Sequence, residues 1–300
     1  MVCFLIGYLF AKTFGGTNGD YAECIIQTSD GGYAVAGWTY SFGVDDADLL
    51  VLKLNSDGSV AWAETIGDTG IDYAYSIIQT SDGGYAVAGL SYPSGAGDFD
   101  FLVLKLNPDG TVAWAKAFGG MSEERAYSIT QTSDGGYAVG GYTVSFGAGR
   151  RDFLVLKLNS DGSLAWAKTF GGTGSECVHS IIQTSDGGYA VAGGTWSFGA
   201  GGDDFLVLKL NPDGSLAWAK TFGGAGIDYA YSITQTSDGG YAVAGYTISF
   251  GSGGYDFLVL KLNPDGSLAW AKTFGGAGED WACSITQTSD GGYAVAGYTN

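Results

Sequence analysis

Six copies of Ser-Asp-Gly-Gly, starting at Ser29, Ser81, Ser133, Ser185, Ser237 and Ser289, stand 52 residues apart along the chain. A fixed period of that length marks a solenoid, a propeller or an array, in which one supersecondary unit stacks on copies of itself. Each copy lies between two β-rich runs. Asp-Gly in that setting predicts a hairpin with a type I′ turn, whose two central residues both take φ > 0.

One period reads from Asp228 to Glu279. Tyr229–Thr236 is a strand-like run that enters the Ser-Asp-Gly-Gly turn, and Tyr241–Thr247 is a second strand. A Gly-rich loop over 248–255 leads to Asp256–Asn263, apolar on both faces as a buried strand is. Asn263-Pro264-Asp265-Gly266 is a turn, with Pro presetting φ and Gly taking the left-handed position. Leu268–Phe274 alternates large and small residues and makes a fourth strand. No ten-residue stretch carries helical spacing with caps, so the chain is predicted all-β. Four antiparallel strands per repeat predict a six-bladed β-propeller forming one domain over residues 1–300. Its register is 1–20 (a closing strand), 21–72, 73–124, 125–176, 177–228, 229–280 and a partial 281–300. Trp62, Trp114, Trp166, Trp218 and Trp270 share one repeat position and are expected to be largely buried packing residues between blades. The repeat arithmetic leaves one loop and most of one third strand missing. The last blade is therefore expected to be incomplete and shared by both termini, with the segment near Phe4–Phe14 joining Trp281–Thr288 and Tyr293–Thr299. The alternative is a piece cut from a longer array.

Composition narrows the function. With 53 Gly but only 4 Pro, and no Gly-X-Y triplet, collagen is excluded. Thirteen basic against 31 acidic residues give a formal charge of −18, which repels nucleic acid and anionic membranes and favours cations. Met1–Phe10 is apolar but lacks a basic flank and is too short to span a bilayer, so no membrane insertion is expected and the domain reads as a monomer. Cys3, Cys24, Cys177 and Cys283 have no metal-finger spacing and read as substituted strand or core positions.

The unit Asp-Gly-Gly-Tyr-Ala-Val-Ala-Gly-Tyr-Thr, followed by Asp-Phe-Leu-Val-Leu-Lys-Leu-Asn-Pro-Asp-Gly and Ala-Trp-Ala-Lys-Thr-Phe-Gly-Gly, resembles the β-propeller repeats of secreted or surface bacterial and archaeal proteins. It is also similar to the kelch blade. The resemblance implies an extracellular or cell-surface scaffold, non-enzymatic, with no catalytic residues and no cofactor common to the repeats. Asn-Pro-Asp-Gly-Ser-Leu-Ala-Trp also resembles the repeat of quinoprotein propeller enzymes of the PQQ type, but the near-identity of the blades argues against the cluster of unlike polar residues a quinone needs. A purely structural spacer within a larger surface protein is a further reading. The bulb-lectin reading of Asp-Gly-x-Leu/Val-x-Trp lacks that family's mannose-binding pattern.

Antiparallel topology sorts the connections onto two faces. The Ser-Asp-Gly-Gly and Asn-Pro/Ser-Asp-Gly turns share one face and are nearly uniform. The other face carries the loops that vary: Trp38–Ala47, Leu90–Phe99, Tyr142–Arg151, Gly194–Asp203 and Tyr246–Tyr255, with the junctions 17–23, 121–127 and 173–179. Variable loops on a rigid scaffold are where binding sits, so this face is expected to recognise a protein or a glycan. One feature there is constant: Asp20, Asp72, Glu124, Glu176, Asp228 and Asp280 occupy one repeat position. Ringed around a channel they would make a Ca²⁺ site. Read locally, each accepts hydrogen bonds from loop amides, and six converging carboxylates would repel one another. His179, beside Glu176 and Cys177, replaces a Tyr of other repeats and reads as a packing residue rather than a base.

Overall fold

The computed structural model describes residues 12–44, 46–67, 70–92 and 98–300, which hold twenty-two strands and no helix. The chain divides into two compact units, residues 1–97 with 102–117, and residues 98–101 with 118–300. The first unit holds the meander β1 (Asp20–Gln27), β2 (Tyr33–Thr39), β3 (Asp48–Leu54), β4 (Val60–Ile66). A second meander follows: β5 (Asp72–Gln79), β6 (Tyr85–Ser91), β7 (Asp100–Leu106), β8 (Val112–Phe118). In the second unit come β9 (Glu124–Gln131), β10 (Tyr137–Thr143), β11 (Asp152–Leu158), β12 (Leu164–Phe170), and then β13 (Glu176–Gln183), β14 (Tyr189–Thr195), β15 (Asp204–Leu210), β16 (Leu216–Phe222). The series ends with β17 (Asp228–Gln235), β18 (Tyr241–Thr247), β19 (Asp256–Leu262), β20 (Leu268–Phe274) and a two-stranded sheet of β21 (Asp280–Gln287) and β22 (Tyr293–Thr299). Five four-stranded sheets and a partial sixth agree with the expected six blades.

Burial follows the strand's place in each sheet. The third strand, read as apolar on both faces, is buried from Asp152 to Leu158 in β11, while the edge strand β12 is largely exposed. Cores form between successive sheets. Ala190, Ala192, Phe205 and Val207 of one sheet close on Ala230, Ile233, Tyr241 and Val243 of the next. Small residues on one sheet let the larger ones of its neighbour approach, the interdigitation that gives protein interiors their density.

The tryptophans sit in equivalent places, but half-buried rather than largely buried. Trp166 meets Tyr189 of the following sheet edge to face at 5.6 Å, and Trp218 meets Tyr241 in the same way at 5.7 Å. Each lies on an edge strand, so one side of the indole faces solvent while the other covers its neighbour.

The Ser-Asp-Gly-Gly turn differs from the type I′ expectation. Only its first Gly has positive φ (81° at Gly135, 82° at Gly239), and no non-Gly residue among those described does. The Gly135 N–H donates to the Thr132 C=O at 2.9 Å, and the Thr132 N–H to the Gly136 C=O at 2.9 Å. This is a type I turn closed by a left-handed Gly. Asp134 keeps negative φ because its carboxylate is engaged, accepting from the Thr132 hydroxyl at 2.5 Å and the Gly136 N–H at 3.0 Å. It also pairs at 2.9 Å with Lys157 of the third strand, whose buried ammonium donates to the Leu158 C=O at 2.9 Å. The same clamp recurs at Lys53–Asp30, Lys105–Asp82, Lys209–Asp186 and Lys261–Asp238. Beside it the Ser133 N–H donates to the Gln183 side chain of the next sheet at 2.7 Å, a link repeated by Ser185 to Gln235 and Ser237 to Gln287 at 2.8 Å.

Residues 1–11 lie outside the described residues, and with them most of the expected closing strand over Phe4–Phe14. At its described end, Phe14 packs against Leu50, Leu52 and Leu54 of β3, much as Phe170 and Phe222 pack on the core that follows them.

Candidate functional site

The first strand of every repeat carries a β-bulge near its variable end. In β13, Val178 pairs with Gly193 and Ser180 with Ala192, so His179 is left out of the ladder. Glu23, Tyr75, Tyr127, Tyr231 and Cys283 are skipped in the same way. A bulge adds one residue to one strand and re-aims its side chain. The opposite residue is always Gly: a Cβ on Gly193 would lie 1.9 Å from the Cys177 C=O, and one on Gly141 1.8 Å from the Arg125 C=O. The freed amide beyond the bulge is caught by the preceding sheet, Ile181 N–H donating to the Ser128 hydroxyl at 3.1 Å and Ile285 N–H to that of Ser232 at 3.2 Å.

Around the bulges, unlike side chains occupy positions whose backbone is the same in every repeat. One row is Tyr21, Tyr73, Arg125, Cys177, Tyr229 and Trp281; another is Trp38, Leu90, Tyr142, Gly194, Tyr246 and Tyr298. A third, Ala47, Phe99, Arg151, Asp203 and Tyr255, is pinned through its carbonyls. Each accepts from the first residue of the next repeat's first strand, as Arg151 does from the Glu176 N–H at 2.8 Å and Tyr255 from the Asp280 N–H at 2.7 Å. The backbone is therefore rigid where the chemistry varies.

In the second unit these rows form an aromatic belt. Trp281 lies 4.3 Å from Tyr246, 5.1 Å from Tyr255 and 5.5 Å from Tyr298 between ring centroids. The Nε1–H of Trp281 is buried and has no hydrogen-bond partner among the described residues. His179 stacks on Tyr127 at 5.1 Å and meets Tyr229 and Tyr231 at 5.2 and 4.8 Å. Burial among these rings pushes the His179 pKa down to about 4. Because the folded-state value lies below the unfolded one, the stability His179 confers is complete above about pH 6.5 and is lost as the pH falls toward 4. The unfolding midpoint of the wild type is expected to drop across that window, by on the order of 3 kcal/mol in stability. His179→Phe should remain flat there; a parallel drop in the variant would show that another group titrates.

The acids at the start of the first strands are engaged by loop donors. Glu176 accepts from the Thr195 hydroxyl at 2.9 Å, the Ser197 N–H at 3.0 Å and the Gly172 N–H at 2.9 Å. Glu124 has the equivalent set from Thr143, Ser145 and Gly120. Asp20 accepts from Thr39, Ser41 and Gly16, Asp228 from Gly224 and Ser249, and Asp280 from Gly276. Asp20, Glu124, Glu176 and Asp228 thus tether the junction before the first strand to the loop after the second. Asp72, Glu124, Glu176, Asp228 and Asp280 each come together with the Asp that opens the preceding third strand. Asp72 meets Asp48 over Gly67, Glu124 meets Asp100 over Gly119, and Asp228 meets Asp204 over Gly223. Burial and the neighbouring carboxylate raise the pKa of Asp100 and of Asp204. Among the described residues, no three His, Cys, Asp or Glu side chains gather where a metal ion could be held. Cys24, Cys177 and Cys283 are free thiols, each pushed up in pKa by burial.

The bulge position was not recognisable from strand alternation, which treats residues 177 and 179 as neighbours on one face. Its signal was present nonetheless in the Gly that closes every Ala-Val-Ala-Gly or Ala-Val-Gly-Gly run. Two apolar clefts of about 480 and 450 Å³, edged by Phe198 and Phe250, recur one repeat apart in the uniform part of the sheets.

Residues 80–112, 132–164, 184–216 and 236–268 match the model of a beta-propeller domain of unknown function, DUF5122. A curated relative, the regulatory protein FlaEY of Caulobacter vibrioides, is 25% identical over 237 residues, covering 70% of this chain and 24% of that protein. The chain thus spans about a quarter of the relative's length. Among solved structures, the WD40 domain of Neurospora crassa Pan2 is similar, with a TM-score of 0.54, 12% identity, and 88% of this chain and 68% of that one covered. A protein of unknown function from Bacteroides caccae gives a TM-score of 0.51 at 13% identity, covering 87% and 81%. Puromycin hydrolase gives 0.53 at 14% identity, covering 91% and 41%. These likenesses speak for the fold alone, and with the repeated four-stranded sheets they identify the chain as a β-propeller repeat protein.

Proposed function

We propose that this chain is a non-enzymatic, extracellular or cell-surface scaffold that recognises a protein or glycan ligand through its variable-loop face. The supporting observation is the set of bulge-centred rows, in which aromatic, basic, acidic and thiol side chains replace one another on an unchanging backbone. Packing alone would favour the same residue at the same place in every repeat, as it does at the Lys–Asp clamps. Half-exposed aromatic rings fit recognition, because they supply flat contact area at low conformational cost. The test is binding of the purified chain to a glycan array and to a panel of purified extracellular protein domains. Binding should be lost with Tyr231→Ala plus Tyr255→Ala and kept with Ser185→Ala plus Ser237→Ala on the uniform face. Loss through the uniform-face variant, or no binding by the wild type at millimolar ligand, would overturn the assignment and favour a structural spacer.

A further inference from the structure

The only three arginines of the chain, Arg125, Arg150 and Arg151, fall in one repeat, at positions where the others carry unlike residues. The lysines behave differently, recurring at shared repeat positions such as the clamps. Arg151 lays its guanidinium over the Tyr142 ring at 4.4 Å, with its side chain 45% exposed. Arg125 stacks over Phe99 at 5.3 Å and pairs directly with Glu123. Glu123 reaches Arg151 only at 3.7 Å. Arg150 is exposed and stands where two other repeats have Asp46 and Asp98. The backbone here is fixed: the Arg150 N–H donates to the Gly174 C=O at 2.8 Å, and Arg151 bridges to Ser175. Two guanidinium groups, those of Arg125 and Arg151, thus share one partly exposed carboxylate, Glu123, next to the exposed Arg150. Of the other acids of this corner, Glu124, Asp152 and Glu176 are buried and occupied by loop donors, and Asp203 is half-buried, its charge felt at the Cys177 thiol along with those of Arg125 and Arg151.

Resting on the recognition reading above, we propose that this corner binds the carboxylate of a single acidic sugar, a uronate, on an otherwise uncharged glycan. A guanidinium offers planar, bidentate hydrogen bonding to a carboxylate, and one stacked on a ring is already oriented for it. Beside the arginines the half-buried rings of Tyr127 and His179, which continue from Tyr142 at 6.0 Å and then 5.1 Å, leave a partly exposed aromatic edge for the C–H side of a pyranose. The net charge of −18 sets the limit: a polyanion is repelled by the whole chain, whereas one carboxylate meets the local surplus of positive charge.

Calorimetric titration of the intact chain with a glucuronate-terminated trisaccharide and its glucose-terminated counterpart tests this. The uronate form should bind about tenfold more tightly, as expected for charge-assisted hydrogen bonds. Arg150→Gln with Arg151→Gln should reduce it to the level of the neutral sugar without moving the unfolding midpoint. Arg151→Lys should restore only part of the preference. If the neutral sugar binds as well as the uronate one, recognition stands and the carboxylate assignment fails. It fails equally if the double variant keeps the preference, or if an acidic peptide or heparin binds the wild type more tightly than the uronate. If neither sugar nor any arrayed ligand binds, both readings fall.

Discussion

Asp134→Ala is expected to cost roughly 3–5 kcal/mol, and Lys157→Met less than about 1.5 kcal/mol, although the two side chains share one ion pair. The asymmetry follows from where each partner lies. The Lys157 side chain is 7% exposed and that of Asp134 63% exposed. Removing the carboxylate strands a buried ammonium with the Leu158 carbonyl as its one remaining acceptor, whereas removing the ammonium leaves a solvated aspartate still held by Thr132 and Gly136. Urea unfolding of both variants settles the matter; equal or reversed costs would mean that the clamp is not held from the buried end. The same carboxylates govern acid stability. The Asp134 pKa lies at about 2, held down chiefly by the Thr132 hydroxyl, against desolvation and with help from Lys157. Asp82 also sits at about 2, for the same causes. Because the folded-state values are depressed, this stability is present above about pH 4 and is lost as the pH falls toward 2. That window lies below the one assigned to His179, so the two losses separate on a pH series.

Gly245→Ala is expected to destabilise by about 3 kcal/mol or more, far beyond an ordinary Gly to Ala change in a strand. The added methyl would lie 1.9 Å from the Tyr229 carbonyl, and relief requires parting Tyr229 from Tyr246 at the bulge. Gly239→Ala, at φ 82° with no contact shorter than 3.7 Å, should cost only about 1 kcal/mol through backbone strain. Thermal unfolding of the pair checks the order. If Gly239→Ala proves the worse, the conformational freedom of glycine matters more here than its missing side chain. Gly245→Ala should also weaken ligand binding, since it displaces Tyr231 and Tyr246 together.

The fold was legible because the repeat supplies five or six readings of each strand, and a position such as Leu156 or Leu208 keeps its character in every one. Asn-Pro-Asp-Gly announced its left-handed Gly266, observed at φ 78°. The Ser-Asp-Gly-Gly turn departs from the type I′ expectation because dipeptide rules ignore a side chain committed elsewhere. Nothing local says that the aspartate will be held by a lysine 23 residues on, as Lys157 holds Asp134. The acids of the variable face were found by register, but their pairing across Gly119, Gly171 and Gly223 depends on contacts between repeats that a one-dimensional pattern does not carry. The bulges escaped for a related reason. Alternation assumes an unbroken pleat, and the residue that breaks it at Tyr127, His179 or Tyr231 has no compositional mark of its own.

A residue left out of the ladder is also released from the ladder's demands. Glu23, Tyr75, Tyr127, His179, Tyr231 and Cys283 share one structural address, yet they span acid, phenol, imidazole and thiol. Strand pairing, the glycine opposite and the serine link to the preceding sheet are all served by their neighbours. Duplication of a 52-residue cassette therefore copies the framework faithfully while leaving one letter per copy open to be rewritten. Six such letters, exchanged independently, would give a combinatorial alphabet for new specificities on a scaffold that need not be rebuilt for each one.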